Sequence, residues 1–235
     1  MDYKKLVFTW MFVSVACISQ AQLGGSSLSI NLDDFYKRFK NYEYSQKQGE
    51  KSDILGSPYE SDEFVPGSIV TLTKQHYVGI PMRFNIFSDQ VEFKVPDGGI
   101  FAIGLPEIID SVRIGDKTFI YYPYKYSFKI QKGYFKVLTP GSPALLQKMN
   151  IYLKPAEPPR PYKDPIPPTF VRTPDEFYLA FSPDAALKIT GKRDFLNTLN
   201  KNRSELEQFI KKNKLKLDKP DDLVKLMEYY FSIAK

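Results

Sequence analysis

The stretch VEFKVPDGGIFAIGL, residues 91–105, decides the fold class of this chain. Residues 91–95 alternate apolar and charged side chains, which is the period of a β-strand that places one face on a core. The sequence Pro-Asp-Gly-Gly follows at residues 96–99 and favours a tight turn. A second short run of apolar residues begins at Ile100, directly after the turn. The stretch therefore predicts an antiparallel hairpin.

Short apolar runs continue outward on both sides of this hairpin. Turn signals separate them at residues 88–89, 106 and 115–116. Short strands at this spacing are typical of antiparallel sheets. We therefore predict a β domain over residues 64–153, folded as a sandwich or a partial barrel. The expected strands are residues 67–72, 77–84, 91–95, 100–105, 111–114, 117–122 and 134–138.

The clearest alternation in the chain runs from Tyr122 to Ile130. The aromatic residues and Ile130 fall on one face, and the run is expected to end before a turn at residues 132–133. This face either packs into the core or forms a groove that stacks sugars or holds acyl chains. Pro123 within the run indicates an edge strand, to which a partner could add a strand. The candidate ligand- or partner-binding residues on this face are Tyr122, Tyr124, Tyr126 and Phe128.

Residues 22–63 are predicted to hold a flexible leader and then an amphipathic helix. The leader is small and polar, and Asn31 or Asp33 could cap the helix. Apolar residues recur in the helix at spacings of three and four, which forms one aromatic stripe. The stripe either packs on the following sheet or docks onto a partner. In the second case Phe35 and Phe39 are the candidate binding residues.

Residues 154–168 hold seven of the 18 prolines of the chain. Such a composition excludes a helix or a central strand and favours an extended polyproline II conformation. We therefore predict a semi-rigid linker and a domain boundary here. Residues 169–235 carry a predicted β-hairpin and then helical patterns, which indicates a small, mainly helical C-terminal module. The fold class predicted for the chain is α+β, predominantly antiparallel β, with an N-terminal helix.

Residues 1–21 have the order of an export signal. Lys4 and Lys5 precede an uncharged, mostly apolar run over residues 6–18, and small residues follow up to Ala21. Cleavage near Ala21 would start the mature chain at about Gln22. The protein is therefore expected to be exported, to the periplasm or to the outer membrane.

A lipoprotein signal is the alternative, with acylation at Cys17. It is less favoured because Ser14 stands where such signals usually carry a leucine-like residue. No later stretch reaches the ~20 apolar residues of a spanning helix. We therefore expect no transmembrane segment in the mature chain.

The sequence is poor in cysteine and histidine, which often serve as catalytic or metal-binding residues. Cys17 is the only cysteine and His76 the only histidine, which excludes a disulfide scaffold and multi-histidine metal sites. A nucleophile needs a base beside it, and no motif in the sequence places one near His76. We therefore expect no catalytic residue, no bound metal and no cofactor, and we predict that the protein is not an enzyme.

The net charge of +6 is scattered along the chain rather than gathered in a stripe. An exported protein rarely meets nucleic acid, so we exclude nucleic-acid binding as a function class. The basic excess is typical of a solubilising surface. An anionic lipid or a polysaccharide is the remaining kind of charged partner.

Three stretches carry a resemblance to a known family: FVPGSIV at residues 64–70, YVGIPMRFNIFSDQVEF at 77–93 and GYFKVL at 133–138. They resemble small exported cell-envelope proteins of the Bacteroidota, which share the pattern Arg-aromatic-Asn, then Asp, then Glu-Phe and have no assigned activity. The resemblance implies an envelope protein of a bacterium with two membranes, and it transfers no catalytic residue. Within the pattern, Arg83 and Glu92 are predicted to pair across a hairpin and to set its register.

The leading hypothesis is a non-enzymatic cell-envelope protein, an accessory or binding subunit with a protein partner in an outer-membrane complex. The export signal, the aromatic helix and the lack of a catalytic pattern favour it. Two alternatives stay open. One is a periplasmic carrier of an apolar ligand or a glycan that uses the aromatic face between Tyr122 and Ile130. The other is an envelope hydrolase that depends on His76.

Overall fold

The computed structural model describes Phe35, residues 54–159, Pro161 and residues 164–234. The predicted export signal at residues 1–21 and the candidate residue Phe39 lie outside the described residues. Twelve strands, three helices and one short 3-10 turn at Pro106–Ile108 make up the described part of the chain. The fold is α+β and mostly antiparallel β, as the sequence predicts.

Ten strands form one antiparallel sheet that curls into a half-barrel, in the order β12-β11-β8-β7-β6-β5-β1-β2-β3-β4. Strands β9 and β10 pair with each other in a second, two-stranded sheet. The strands are β1 (Val65–Thr71), β2 (His76–Asn85), β3 (Gln90–Lys94), β4 (Ile100–Ala102), β5 (Ile109–Ile114), β6 (Lys117–Tyr126), β7 (Lys129–Thr139), β8 (Ala144–Lys148), β9 (Ile151–Lys154), β10 (Thr169–Arg172), β11 (Glu176–Ala180) and β12 (Leu187–Lys188). The helices are α1 (Lys192–Leu199), α2 (Arg203–Asn213) and α3 (Pro220–Ile233).

The hairpin predicted from residues 91–105 is present as β3 and β4. Its turn is closed by the Val95 N–H, which donates to the Gly99 carbonyl oxygen at 2.9 Å, and by the Gly98 N–H, which donates to the Val95 carbonyl oxygen at 2.9 Å. Gly98 has a φ of 90°, a conformation that glycine adopts without strain. The Pro-Asp-Gly-Gly signal was therefore sufficient to place this turn.

The hairpin between β6 and β7 turns at a different place from the predicted one. The loop is Ser127-Phe128, with Tyr126 paired to Lys129, whereas the sequence predicts a strand through Ile130 and a turn at residues 132–133. The prediction was wrong because Gly133 serves a close approach instead of a turn. A Cβ at Gly133 would lie 2.5 Å from a carboxylate oxygen of Asp89.

Phe35 is a core residue. Its side chain is fully buried, and its ring lies 5.2 Å from the ring of Tyr77 and 5.1 Å from the ring of Phe93. Of the two interpretations of the aromatic stripe, packing on the sheet therefore holds at this position. Phe35 is not available to a partner in this structure.

The helices cover one face of strands β8 and β11. Leu145, Phe177 and Leu179 point to the helices, while Leu146 and Tyr178 point to the opposite side. Both strands are therefore buried on both faces, which explains why they read as continuous apolar runs rather than as alternating ones. The helical residues of this core are Phe195, Leu196, Leu199, Leu206, Ile210, Leu223, Leu226, Met227 and Tyr230.

The main sheet crosses the domain boundary predicted at residues 154–168. Strand β11 pairs with β8 from Glu176 opposite Lys148 to Ala180 opposite Ala144, so the predicted C-terminal module shares the main sheet. The proline-rich segment is also not an extended linker. It folds back on itself, because Glu157 and Ile166 exchange two backbone hydrogen bonds of 2.9 and 3.1 Å. Composition indicates stiffness, but it does not show which strands pair on either side.

In the described part of the chain, no helix combines the length and the apolar character that crossing a membrane requires.

Candidate functional site

The end of the β6–β7 hairpin is the most unusual surface of the described chain. Eight consecutive residues, 125–132, are all exposed, and we call them the tip. Phe128 in the loop is fully exposed, and Tyr126 and Ile130 beside it are 51% and 67% exposed. Monomeric proteins tolerate single exposed apolar residues, but a group of three at one projecting point is typical of a contact surface.

The tip also carries three positive charges. Lys129 lies between Phe128 and Ile130, Lys125 and Lys132 are the first and last residues of the tip, and the tip has no acidic residue. None of the three lysines forms an ion pair with a residue that the structure describes. The tip is therefore both apolar and cationic, and its charges are free to meet an external partner.

We call the base of the β6–β7 hairpin, next to the tip, its root. A polar clamp holds the β7 side of this root. The Lys148 ammonium lies 2.9 Å from Asp89 Oδ2, and it donates a second hydrogen bond of 3.2 Å to the Tyr134 carbonyl oxygen. Both carboxylate oxygens of Asp89 accept from the Tyr134 backbone N–H at 3.3 Å. The clamp thus ties the β2–β3 turn to strands β7 and β8 at the base of the tip.

The clamp is tightly enclosed. Lys148 is only 7% exposed, and its ammonium lies 5.5 Å and 5.2 Å from the ring centres of Tyr124 and Phe135. Gly133 leaves the space in which the ammonium and the carboxylate meet, since a Cβ there would be 2.7 Å from Lys148 Nζ. A Cβ at this position would displace one of the two charged groups.

A second contact holds the β6 side of the root. The Lys125 N–H donates to the Ala186 carbonyl oxygen at 3.0 Å, and the Ala186 N–H donates to the Pro123 carbonyl oxygen at 2.8 Å. The chain beside β12 thereby returns to β6 and closes β6, β7, β8, β11 and β12 into a ring. The edge that Pro123 was expected to offer to a partner is covered here by the chain itself.

The ring encloses three aromatic side chains in edge-to-face contact. The ring centre of Tyr124 lies 5.3 Å from that of Phe135 and 5.6 Å from that of Tyr178, and the last two are 5.1 Å apart. Burial raises the pKa of the Tyr124 phenol, and the Asp89 carboxylate raises it further. This phenol stays neutral and donates to Gln131 Oε1 at 3.0 Å. The hairpin root is therefore a packed core.

The four aromatic candidates between Tyr122 and Phe128 do not share one surface. Tyr124 is a core residue and Tyr122 is half-buried, whereas Tyr126 and Phe128 are exposed at the tip. The alternation stops being informative past Tyr126 because the chain reverses at Ser127-Phe128. The interpretation as core holds for Tyr124, and only Tyr126 and Phe128 remain accessible to a ligand or partner.

The predicted pair of Arg83 and Glu92 is present and buried. Arg83 Nε and Nη2 lie 2.9 and 2.8 Å from Glu92 Oε2, and Asn85 Nδ2 donates to Glu92 Oε1 at 2.8 Å. The Arg83 guanidinium also lies over the ring of Tyr59, 3.6 Å from its centre. The pair thus fixes the β2–β3 register and fastens the segment before β1 onto the sheet.

Sequence reasoning missed the clamp. The pattern Arg-aromatic-Asn, Asp, Glu-Phe contains Asp89, Asn85, Arg83 and Glu92, and the structure uses all four in buried or half-buried polar contacts. Their occurrence together between apolar strand residues was the available signal for a structural network. Lys148, the partner of Asp89, lies too far along the chain for any local pattern to join them.

His76 is exposed at the start of β2, opposite Val70. Among the described residues no group of three or more histidine, cysteine, aspartate or glutamate side chains could hold a metal ion. The tip is therefore the candidate site that the geometry supports. A comparison of the chain with protein-family models, with curated proteins and with solved structures finds no match.

Proposed function

We propose that this protein is a non-enzymatic accessory or binding subunit of the bacterial cell envelope, associated with an outer-membrane complex, and that the tip is its contact surface. The observation that carries the proposal is the exposure of Tyr126, Phe128 and Ile130 on a hairpin whose root is held on both sides. A contact surface needs accessible apolar groups in a fixed position, and the tip has both.

The energetics of the tip favour binding. Burying one large apolar side chain contributes about 1.5–3 kcal/mol, so Tyr126, Phe128 and Ile130 together could supply most of a moderate affinity. The root is ordered before binding by the Asp89–Lys148 clamp and the Ala186 contact, so little conformational entropy remains to be lost. The location in the envelope rests on the predicted export signal and on the family resemblance.

The experiment is a purification of the tagged protein from native membranes in mild detergent. The wild type is expected in the envelope fraction together with stoichiometric partners. A tip variant with Tyr126→Ser, Phe128→Ser and Ile130→Ser should no longer be found in the envelope fraction, although it keeps its fold. The matched control, Leu72→Ser with Val78→Ser, changes two exposed apolar residues elsewhere and should behave as the wild type. A wild-type protein that appears only as a free monomer in the soluble fraction would contradict the proposal.

The two alternatives gain no support from the described residues. A carrier that uses the aromatic face would need Tyr124 to be accessible, and its ring is enclosed by Phe135 and Tyr178. A hydrolase that depends on His76 predicts that His76→Ala abolishes an activity. Each stays a prediction with its own test: ligand extraction with mass spectrometry for the carrier, and the His76 variant for the hydrolase.

A further inference from the structure

The tip has the composition of a segment that rests in a membrane interface. Three apolar residues alternate with polar ones over residues 125–131, three of the eight residues at 125–132 are lysines, and every one of these eight residues is exposed. Apolar groups of this kind enter the boundary between headgroups and acyl chains, while lysines stay among anionic headgroups. A purely apolar tip would not distinguish a lipid from a protein, and a purely basic tip would not insert.

We propose that the tip inserts Phe128 into an anionic phospholipid bilayer and that Lys125, Lys129 and Lys132 bind the headgroups around it. This inference rests on the proposed function, because it names what the contact surface of that subunit touches. Its partner is a lipid surface with acidic headgroups, reached by a hairpin rather than by a spanning segment.

The length of the tip matches the depth of the interface. The last buried residue of β6 is Tyr124, and Phe128 at the apex is the fourth residue after it. The two strand residues, Lys125 and Tyr126, extend about 7 Å at a rise of about 3.3 Å each, and the loop residues Ser127 and Phe128 lie beyond them. Interfacial segments place their apolar side chains roughly 5–10 Å into the headgroup boundary. Phe128 can therefore reach that depth while the ring of strands stays outside.

Two carboxylates near Tyr124 at the root are each paired with a lysine. Asp89 and Glu176 are the carboxylates that raise the pKa of Tyr124 at the root. Each is paired with a lysine, Asp89 with Lys148 and Glu176 with Lys188. Neither Asp89 nor Glu176 is therefore left as an unpaired negative charge that would repel an approaching anionic bilayer.

The size of the tip favours a lipid surface over a protein groove. A standard protein interface takes about 800 Å² from each partner and involves about 20–30 residues on each side. The tip offers eight residues around a two-residue loop. A bilayer accepts such a small convex shape because its surface deforms around each side chain.

The first test measures the binding of the purified protein to vesicles by co-sedimentation. We expect binding to phosphatidylglycerol vesicles and much weaker binding to phosphatidylcholine vesicles. Lys125→Gln with Lys129→Gln and Lys132→Gln should lower the partition coefficient about a hundredfold, since each lysine near an anionic surface contributes roughly fivefold. Added salt should weaken wild-type binding, because exposed charges are screened within about 8 Å at physiological ionic strength.

Matched controls separate the tip from the overall charge. Lys211→Gln with Lys212→Gln and Lys214→Gln removes the same charge from exposed positions on and just after α2, and it should lower binding far less than the tip variant. Phe128→Ser should lower binding about tenfold, because it removes the inserted ring. Leu72→Ser, at another exposed apolar position, should leave binding unchanged.

The second test reports insertion directly. Phe128→Trp in a Trp10→Phe background places the sole tryptophan of the chain at the apex. With phosphatidylglycerol vesicles its emission should shift to the blue, and lipids with brominated acyl chains should quench it. If this variant binds vesicles but its tryptophan is not quenched, the proposed insertion is overturned, because the tip then adsorbs by charge alone.

Failure of this inference can be told from failure of the proposed function. The proposal of a lipid partner is overturned if the protein does not bind vesicles. It is also overturned if the wild type, the triple lysine variant of the tip and Phe128→Ser bind them equally. If the envelope association in cells still depends on the tip in that case, the tip binds a protein and the proposed function stands. A wild-type protein that is absent from the envelope fraction overturns the proposed function itself.

Discussion

At the scale of single residues, the described chain places its buried charges where they hold the sheet together. Glu92 is fully buried and Arg83 and Lys148 nearly so, and each has an opposite charge within 3 Å. An unpaired charge at such a place is strongly destabilising, whereas a paired and hydrogen-bonded charge gives register. These residues stabilise the strands that carry the tip.

The first prediction concerns the buried pair. Glu92→Gln keeps the shape of the side chain but leaves the Arg83 guanidinium without its counter-charge, and we expect the free energy of unfolding to fall by about 3–5 kcal/mol. Urea unfolding followed by circular dichroism measures the change. Asp110→Asn is the control, because it breaks the exposed pair with Lys74 and should lower the free energy by less than about 1 kcal/mol. Equal losses in the two variants would contradict the role given to Glu92.

The second prediction concerns alkaline pH. Burial raises the pKa of the Tyr134 phenol above its ordinary value of 10.0, and the Asp89 carboxylate raises it further. The folded protein therefore favours the neutral phenol. The contribution of this phenol to the free energy of unfolding is complete below pH 10 and is lost as the pH rises above 10. The Tyr134 hydroxyl has no hydrogen-bond partner in the described structure, so Tyr134→Phe should not destabilise the protein at neutral pH.

The measurement is the free energy of unfolding of wild type and Tyr134→Phe between neutral pH and pH 11. The variant should lose less stability than the wild type above pH 10. Tyr152→Phe, at a half-exposed position, should follow the wild-type profile. Identical alkaline losses in wild type and Tyr134→Phe would show that this phenol does not contribute to the pH dependence.

At the scale of elements, the β6–β7 hairpin is a long projection with a fixed base. Its register runs from Phe119 opposite Lys136 to Tyr126 opposite Lys129, and its root is held by the Asp89–Lys148 clamp and by Ala186. A hairpin that extends past its core would otherwise fray, because an isolated pair of strands is marginally stable in water. The base therefore keeps the tip in one position relative to the sheet.

The third prediction tests this base. Gly133→Ala places a Cβ 2.5 Å from Asp89 Oδ2 and 2.7 Å from Lys148 Nζ, so the clamp must open. We expect a loss of about 1–3 kcal/mol, as for other overpacked sites, and a decrease in Tm of several degrees. The control is Gly191→Ala before α1, where a Cβ meets no atom within 4 Å. A Gly133 variant as stable as this control would show that the clamp is not needed for the fold.

At the scale of the whole molecule, one sheet joins the parts of the chain that composition divides. Strands β8 and β11 pair across the proline-rich segment, and Leu145 of β8 packs in the same core as the helices. The helices therefore have no hydrophobic core of their own apart from the sheet. Folding of the described chain should consequently be a single cooperative event.

The fourth prediction is a single unfolding transition. Leu226→Ala in α3 should lower the free energy of unfolding by about 2–5 kcal/mol and should move the near- and far-ultraviolet dichroism midpoints together. Amide exchange in β2, at the opposite side of the sheet, should accelerate along with exchange in α3. Lys225→Ala, at the exposed neighbouring position, should leave both unchanged. Two separated transitions would show that the helices unfold independently of the sheet.

Local signals were sufficient for the elements that local chemistry governs. The Pro-Asp-Gly-Gly turn after Val95 formed where the sequence predicts it, and Arg83 pairs with Glu92 because a short turn brings nearby strand residues opposite each other. The start of α3 at Pro220, with Asp221 and Asp222 in its first turn, also follows from local rules. The strand period and the antiparallel class thus follow from local sequence patterns.

Only the tertiary structure decided which side chains are buried and which are exposed. Tyr124 and Phe128 belong to one alternating run, yet the first lies in the core and the second at the apex of the tip. Gly133 resembles a turn residue until Asp89 and Lys148 are seen to meet beside it. The proline-rich segment resembles a linker until β11 is seen to pair with β8. Periodicity repeats within a few residues of chain, whereas burial depends on the strand that lies opposite, and that strand is distant in the sequence.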